Sequence, residues 1–431
     1  MITHKENIIN YFKSGIKEVK NFKIGIEHEK FLFDQKTNKR IDYPTILKMF
    51  SALTEFGWQP IMEKQNIIGL QKQGKSITLE PGNQIELSGD KLNNIHEACA
   101  ESHDYLFELQ QVTKKFDLKI VSSGFDPIST LEEVPNNPKQ RYIVMTNDMP
   151  NGGPLSLDMM YRTCGTQLNL DYDSEKDFIK KFKVINSIVP ISIALFANSS
   201  IVEKKNSGYM SYRSKVWQET SRGGLPKVFF DNMDFEKYAD FAINFPLLFI
   251  QDNKEYLSGN NYSFQDFMDG KIKEINNRVP TEDDLTTHLS TIFTENRLKK
   301  YIELRSMDTC GWDCLCSGPA FNTGILYGNL DEAYDLISKW DKNKIINAYL
   351  EAPKKGFNTE LMGKDLLYWS SILLGISKKG LKTRDVLSKS GESEVKFLNH
   401  LDKLIDNKTT NADHMINKFS KNENLNDLYD K

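Results

Sequence analysis

The stretch 24-IGIEHEKFLF-33 sets the terms on which the rest of the chain is read. Successive side chains of a strand point to opposite faces, so Glu27 and Glu29 share one face with Gly25 and Phe31. Ile24, Ile26 and Leu32 take the other face, with His28 and Lys30 between them. Two carboxylates side by side on a strand repel unless something positive lies between them. One face of this strand belongs to a core; the other asks for a cation.

Three further segments repeat the pattern. In 76-SITLEPGNQIELSG-89, Pro81-Gly82-Asn83 supplies turn chemistry between two alternating runs, which predicts a hairpin. Ile77, Leu79, Ile85 and Leu87 form its apolar side, and Glu80, Gln84 and Glu86 the opposite one. The run 161-YRTCGTQLNLDY-172 alternates with Gln167 and Asn169 on one face and Arg162, Cys164 and Thr166 on the other. In 298-LKKYIELRSMD-308, Ile302 and Leu304 face one way and Tyr301, Glu303 and Arg305 the other. Helical spacing covers 3–20, 43–56 and 94–116, and Ser174 with Asp177 marks another helix start. Helices and strands alternate irregularly, which favours an α+β fold with a largely antiparallel sheet. A single domain is expected over residues 1–431, with a core from about 20 to 330 and a helical region from about 331 to 431. The polar segment 407–431 reads as a surface cap.

Bulk properties narrow the function classes. With 56 Lys+Arg against 59 Asp+Glu, the net charge of −3 offers no basic footprint for nucleic acid. The longest apolar run, 184-VINSIVPISIALFAN-198, is interrupted by Pro190 and is too short for a membrane span. The N-terminal segment MITHKENIINYFKSG lacks a secretory h-region and cleavage site, so a cytoplasmic protein is expected. The five cysteines, at 99, 164, 310, 314 and 316, do not form a secreted framework and read as reduced structural thiols. The cluster 310-CGWDCLC-316 lacks the paired CxxC spacing of zinc modules.

Carboxylates on several strands (Glu27, Glu29, Glu80, Glu86 and Glu303) suggest a site for Mg2+ or Mn2+, hard cations that prefer oxygen ligands. Arg162, Arg213, Arg297 and Arg305 supply forks for carboxylate or phosphate. Together they point to Mg-nucleotide chemistry. The GxxxxGK[ST], GxGxxG, HExxH and GxSxG signatures are absent from the sequence, so P-loop, Rossmann and common hydrolase modes are unsupported. His288 is the histidine most worth following, although a satisfied structural histidine suits its setting better.

Seven segments taken together resemble one family: 25-GIEHEKF, 79-LEPGNQIELSG, 157-LDMMYRTCGTQLNLDY, 194-ALFANSS, 208-GYMSYRSKVW, 287-THLSTIF and 297-RLKKYIELRSMD. They run in the order found in the plant and proteobacterial type of glutamate–cysteine ligase. The resemblance implies a glutamine-synthetase-like fold, with a curved antiparallel sheet lining a funnel-shaped site and helices behind. It implies that L-glutamate, L-cysteine and ATP give γ-glutamylcysteine, ADP and phosphate through a γ-glutamyl phosphate. A ligase of the same fold acting on a different amine is the alternative. By the same resemblance Glu27, Glu29, Glu80, Glu86 and Glu303 hold metal, Arg305 faces the transferring phosphoryl group, and Arg297 and Lys300 hold polyphosphate. Arg162 and Arg213 hold glutamate, with Trp217 packing nearby. Partners are then small molecules, and the assembly a monomer or homodimer. The cysteine cluster departs from the family pattern and does not reproduce the plant pairing, so the disulfide regulation of plant members is not carried over; the 220-TSRGGLPKVFF-230 segment is shorter than the plant loop, a departure that bears on the cysteine pocket.

Overall fold

The period-2 segments become neighbours in one antiparallel sheet. The computed structural model describes residues 1–259, 261–422 and 428. Its strands are β1 (Ile24–Asp34), β2 (Gln59–Glu63), β3 (Asn66–Lys72), β4 (Lys75–Leu79), β5 (Ile85–Ser88), β6 (Leu118–Val121), β7 (Gly165–Leu170), β8 (Asn296–Leu298) and β9 (Ile302–Asp308). They lie in the order β8-β9-β7-β1-β5-β4-β3-β2, with β6 paired to the second half of β1. β1 is central and bonds antiparallel to β5 on one side and β7 on the other.

The sheet's two faces separate by parity. On one face, Ile24, Ile26, Leu32, Ile77, Leu79, Ile85, Leu87, Leu168, Leu170, Ile302 and Leu304 are all buried. Each fully buried aliphatic of this kind contributes about 1.5–3 kcal/mol of hydrophobic stabilisation. Beneath β1, β4 and β5 they meet helices α2 (Tyr43–Leu53) and α3 (Ile95–Lys115) through Met49, Leu53, Leu106 and Leu109. Under β7 and β9 they join a larger core that takes in Phe178 and Phe182 and reaches Leu401 and Leu404 of the C-terminal helices. The opposite face carries Glu27, Glu29, Glu86, Gln167, Asn169, Glu303 and Arg305 toward a cleft.

The hairpin turn follows its chemistry. Asn83 adopts a left-handed φ of 60°, and a Cβ at Gly82 would lie 2.6 Å from the Tyr161 carbonyl oxygen. Other expectations need correction. The first helix, α1, spans only Lys5–Lys13, and beyond it Gly15 packs where a Cβ would stand 2.4 Å from the Lys300 carbonyl oxygen. The run 161–172 is not strand throughout: it leaves a short helix, Ser156–Arg162, before β7 starts at Gly165. The run 298–308 is a hairpin, with 299–301 at its tip. Of the supposed polar cap, the helix Asn411–Asn422 buries Ala412 and Phe419, and Leu428 is buried too; residues 423–427 and 429–431 lie outside the described residues. The cysteines are not all reduced: Cys99 pairs with Cys316 and Cys310 with Cys314, leaving Cys164 free and buried. The first pair spans 217 residues and forms because α3 brings Cys99 to 5.7 Å, Cα to Cα, from Cys316. No helix among the described residues is long and apolar enough to cross a membrane.

Leu168 lies fully buried between the core-facing side chains of β1 and β9. Leu168→Ala is expected to lower the unfolding free energy by about 2–5 kcal/mol in denaturant titrations. A loss under about 1 kcal/mol would show that this face does not carry the sheet.

Candidate active site

The polar face of the sheet floors a cleft of about 880 Å³, open solvent included. Glu27, Glu29, Glu80, Glu86, Arg297, Arg305 and Trp217 all line it. Strand register explains the convergence. Glu29 of β1 stands directly opposite Glu86 of β5, and Glu27 lies two residues along on the same face. Glu80 follows β4 at the turn. Like charges directly opposed across a strand pair are destabilising.

Neutral groups hold these carboxylates in place. Glu29 accepts from the Gly165 N–H, and Glu27 from Asn169 Nδ2 at 2.8 Å. The Thr78 hydroxyl donates to Glu86 at 2.8 Å, and the Tyr142 hydroxyl to Glu80 at 3.2 Å. Burial, then the charges of Glu303 and Glu86, push the Glu27 carboxyl up to about 7. Glu29 is raised well above the usual carboxylate range by burial and by Glu86 and Glu80; Glu86 is raised by burial and by Glu80. Such a cluster holds protons at pH values where isolated glutamates have lost them, and a divalent cation could take their place.

Glu303 is the opposite case. Burial opposes its charge, yet Arg297, Lys299 and Arg305 together outweigh burial and hold its carboxyl well below the usual range. Its Oε1 accepts from Arg297 Nη2 and Arg305 Nη1, both at 2.7 Å, and its Oε2 from Lys299 Nζ at 2.8 Å and Arg297 Nε at 3.0 Å. With both oxygens occupied by cations, Glu303 does not fit a metal-ligand role; it fixes the arginines. Arg297 is tied further to the Ser290 carbonyl oxygen at 2.6 Å. Arg305 donates to Gln167 and Glu303, while its buried Nε has no partner. Trp217 lies between two guanidinium groups, 5.3 Å from Arg213 and 5.4 Å from Arg305.

Two expected site residues point elsewhere. Arg162 ends a helix instead of alternating in a strand, and pairs with Asp158 at 2.9 Å and Glu203 at 3.0 Å over the Phe125 ring. Lys300 sits at the β8–β9 tip and pairs with Glu282, both side chains exposed; its neighbour Lys299 is the one that turns inward. Arg213 lies behind the wall, donating to the Arg305 carbonyl oxygen at 2.8 Å and keeping Nε and Nη1 buried without partners. His288 is structural: its ring stacks on Phe264 and Nε2 lies 2.8 Å from the Ala242 carbonyl oxygen. The sequence reading missed Arg141 and Tyr142, whose helix (Gln140–Asp148) carries no strand alternation, and the apolar wall of Met145, Met159, Met160, Phe249 and Phe293.

The antiparallel sheet with a polar cleft on one face and helices on the other is an arrangement shared with a solved enzyme. A solved structure of the Francisella tularensis glutamate–cysteine ligase in complex with AMP superposes with a TM-score of 0.52 at 14% identity, covering 94% of this chain and 86% of that one. The model described as glutamate-cysteine ligase family 2 matches residues 23–431, and the chain belongs to that family. Glutamate–cysteine ligase B of Oryza sativa subsp. japonica is 39% identical over 421 residues, 96% of this chain and 84% of the relative. The Arabidopsis thaliana enzyme is 37% identical over 422 residues, 96% and 80% of the two chains. Both relatives are chloroplastic, which overturns the cytoplasmic placement expected from the N-terminal sequence.

The raised Glu27 carboxyl makes a pH prediction. Its folded form binds a proton more tightly than the unfolded chain, so its contribution to stability falls as pH rises from about 4.5 to about 7. In cation-free protein, Glu27→Gln removes that slope. The variant's stability relative to wild type is expected to grow across this window, by at most about 3 kcal/mol. Parallel stability–pH curves for the two proteins would contradict the raised Glu27 carboxyl.

Proposed function

We propose that this cleft joins the γ-carboxylate of L-glutamate to the amine of L-cysteine, with ATP converted to ADP and phosphate. The observation that carries the reading is the facing pair Glu29 and Glu86, flanked by Glu27 and Glu80 and opposed by arginines that Glu303 holds rigid. The four carboxylates offer hard oxygen donors whose hydrogen-bond partners are neutral, a donor set that fits Mg2+, or Mn2+ in its place. When bound there, Mg2+ neutralises phosphate charge and eases the approach of an anionic nucleophile.

A γ-carboxylate oxygen of glutamate takes the γ-phosphoryl group of ATP and ADP leaves. The amine of cysteine then adds at the acyl carbon, phosphate departs, and the amine loses its proton. The protein's work is positioning and charge balance. Arg305 keeps a buried Nε available for an incoming anion, and Arg297 contributes fixed charge. Arg213 braces Trp217 and Glu29 from behind. Trp217, Phe293 and the three methionines form an apolar wall that keeps water from an acyl phosphate.

Incubating the protein with ATP, Mg2+, glutamate and a panel of amines, and following ADP, tests the reading. Cysteine is expected to support the fastest release; no release above background with cysteine sinks the amine assignment. Glu29→Gln should lower kcat/KM by about a hundredfold or more, the scale of losing one preorganised electrostatic partner. Lys300→Ala should stay within about twofold of wild type, as an exposed substitution does. Equal losses in both variants would contradict the placement of the site.

A further inference from the structure

On the core side of the sheet, away from the cleft, α3 carries Cys99 and His103. Residues four apart on a helix share one face, so the Cys99 thiol group and the His103 ring project together. Cys316 meets them from the segment after β9, and one ligand atom from each of the three residues lies within 4.8 Å of the other two. Both cysteines are 6% exposed, while His103 is half-buried with its ring edge-on to Trp312 at 4.1 Å. His103 makes no hydrogen bond to another described residue, so its ring nitrogens are uncommitted. His28, close enough for its charge to interact with that of His103, keeps a buried Nε2 without a partner on the same side of the sheet.

We propose that Cys99, His103 and Cys316 form a redox-gated binding site for a thiophilic divalent cation, Zn2+ in the first instance. Two thiolates and one imidazole are a zinc donor set that leaves a fourth position open. The disulfide and the cation exclude each other, because the same two sulfurs serve both. Reduction breaks the Cys99–Cys316 S–S bond with two electrons and two protons from a dithiol, which leaves as its own disulfide. Zn2+ then replaces the two thiol protons and releases them to solvent. The carboxylate cluster differs in kind: it lies on the opposite face and offers only oxygen to a hard cation.

The test uses Co2+ as a spectroscopic stand-in. Full-length protein is reduced with a dithiol, desalted without oxygen, and titrated with Co2+ and then Zn2+, beside an untreated oxidised sample. Reduced wild type should bind one Co2+ per chain with a thiolate-to-cobalt charge-transfer band that Zn2+ abolishes; oxidised protein should show no band. Cys316→Ser should lose the band, Cys310→Ser should keep it, and His103→Ala should bind at least about tenfold more weakly. Reduced wild type without the band, or a band of equal strength in oxidised protein, overturns the proposal without recourse to any variant. So does a band that survives Cys316→Ser, which would place the cation on Cys310 and Cys314.

Discussion

The repulsion between Glu29 and Glu86, held opposite each other across the centre of the sheet, is the constraint to which the rest of the molecule answers. Opposed like charges on adjacent strands weaken a sheet. Here the pairing survives because the same strands bury Ile24, Ile26, Ile85 and Leu87 on their other face against two helices and a large core. The apolar face thus offsets electrostatic stress on the polar face. Burial keeps that stress high, and the Glu27, Glu29 and Glu86 carboxyls hold their protons above the ordinary range. In the proposed reading, a divalent cation takes the place of those protons and neutralises the buried cluster.

Glu303 shows the complementary solution on the same sheet. One buried carboxylate takes hydrogen bonds from Arg297, Lys299 and Arg305, so three cations are fixed before any substrate arrives. Removing one partner from such a buried network leaves uncompensated charge, a strongly destabilising change. The network therefore holds positive charge in fixed positions at the cleft, where the proposed reaction needs it for phosphate. Carboxylates with raised affinity for protons stand on one side of the cleft and locked guanidinium groups on the other. That division of charge suits a reaction in which an anion attacks a polyanion.

Much of this was legible because a strand has a period of two. Spacing alone puts Glu27 with Glu29, Gln167 with Asn169, and Glu303 with Arg305 on shared faces, and the register brings those faces together. The errors arose where local structure departs from that period. Alternation over 161–172 makes Arg162 a strand residue, whereas it closes a helix and points at Asp158 and Glu203. Lys299 and Lys300 at a hairpin tip differ by one residue and face opposite environments, which alternation extended through a turn cannot resolve. The Cys99–Cys316 pairing depends on a contact across 217 residues and leaves no local mark. Arg141 and Tyr142 reach the cleft through tertiary packing of a helix, where the period of two does not apply.

A crystal structure with Mn2+, ADP and an unreactive glutamate analogue, read by anomalous scattering at the manganese edge, reaches the central claim most directly. Manganese density at the Glu27, Glu29, Glu80 and Glu86 cluster, with Glu303 still bound to its arginines, is the predicted result. Manganese coordinated away from these carboxylates, with Glu29 and Glu86 sharing a proton between them, would contradict it.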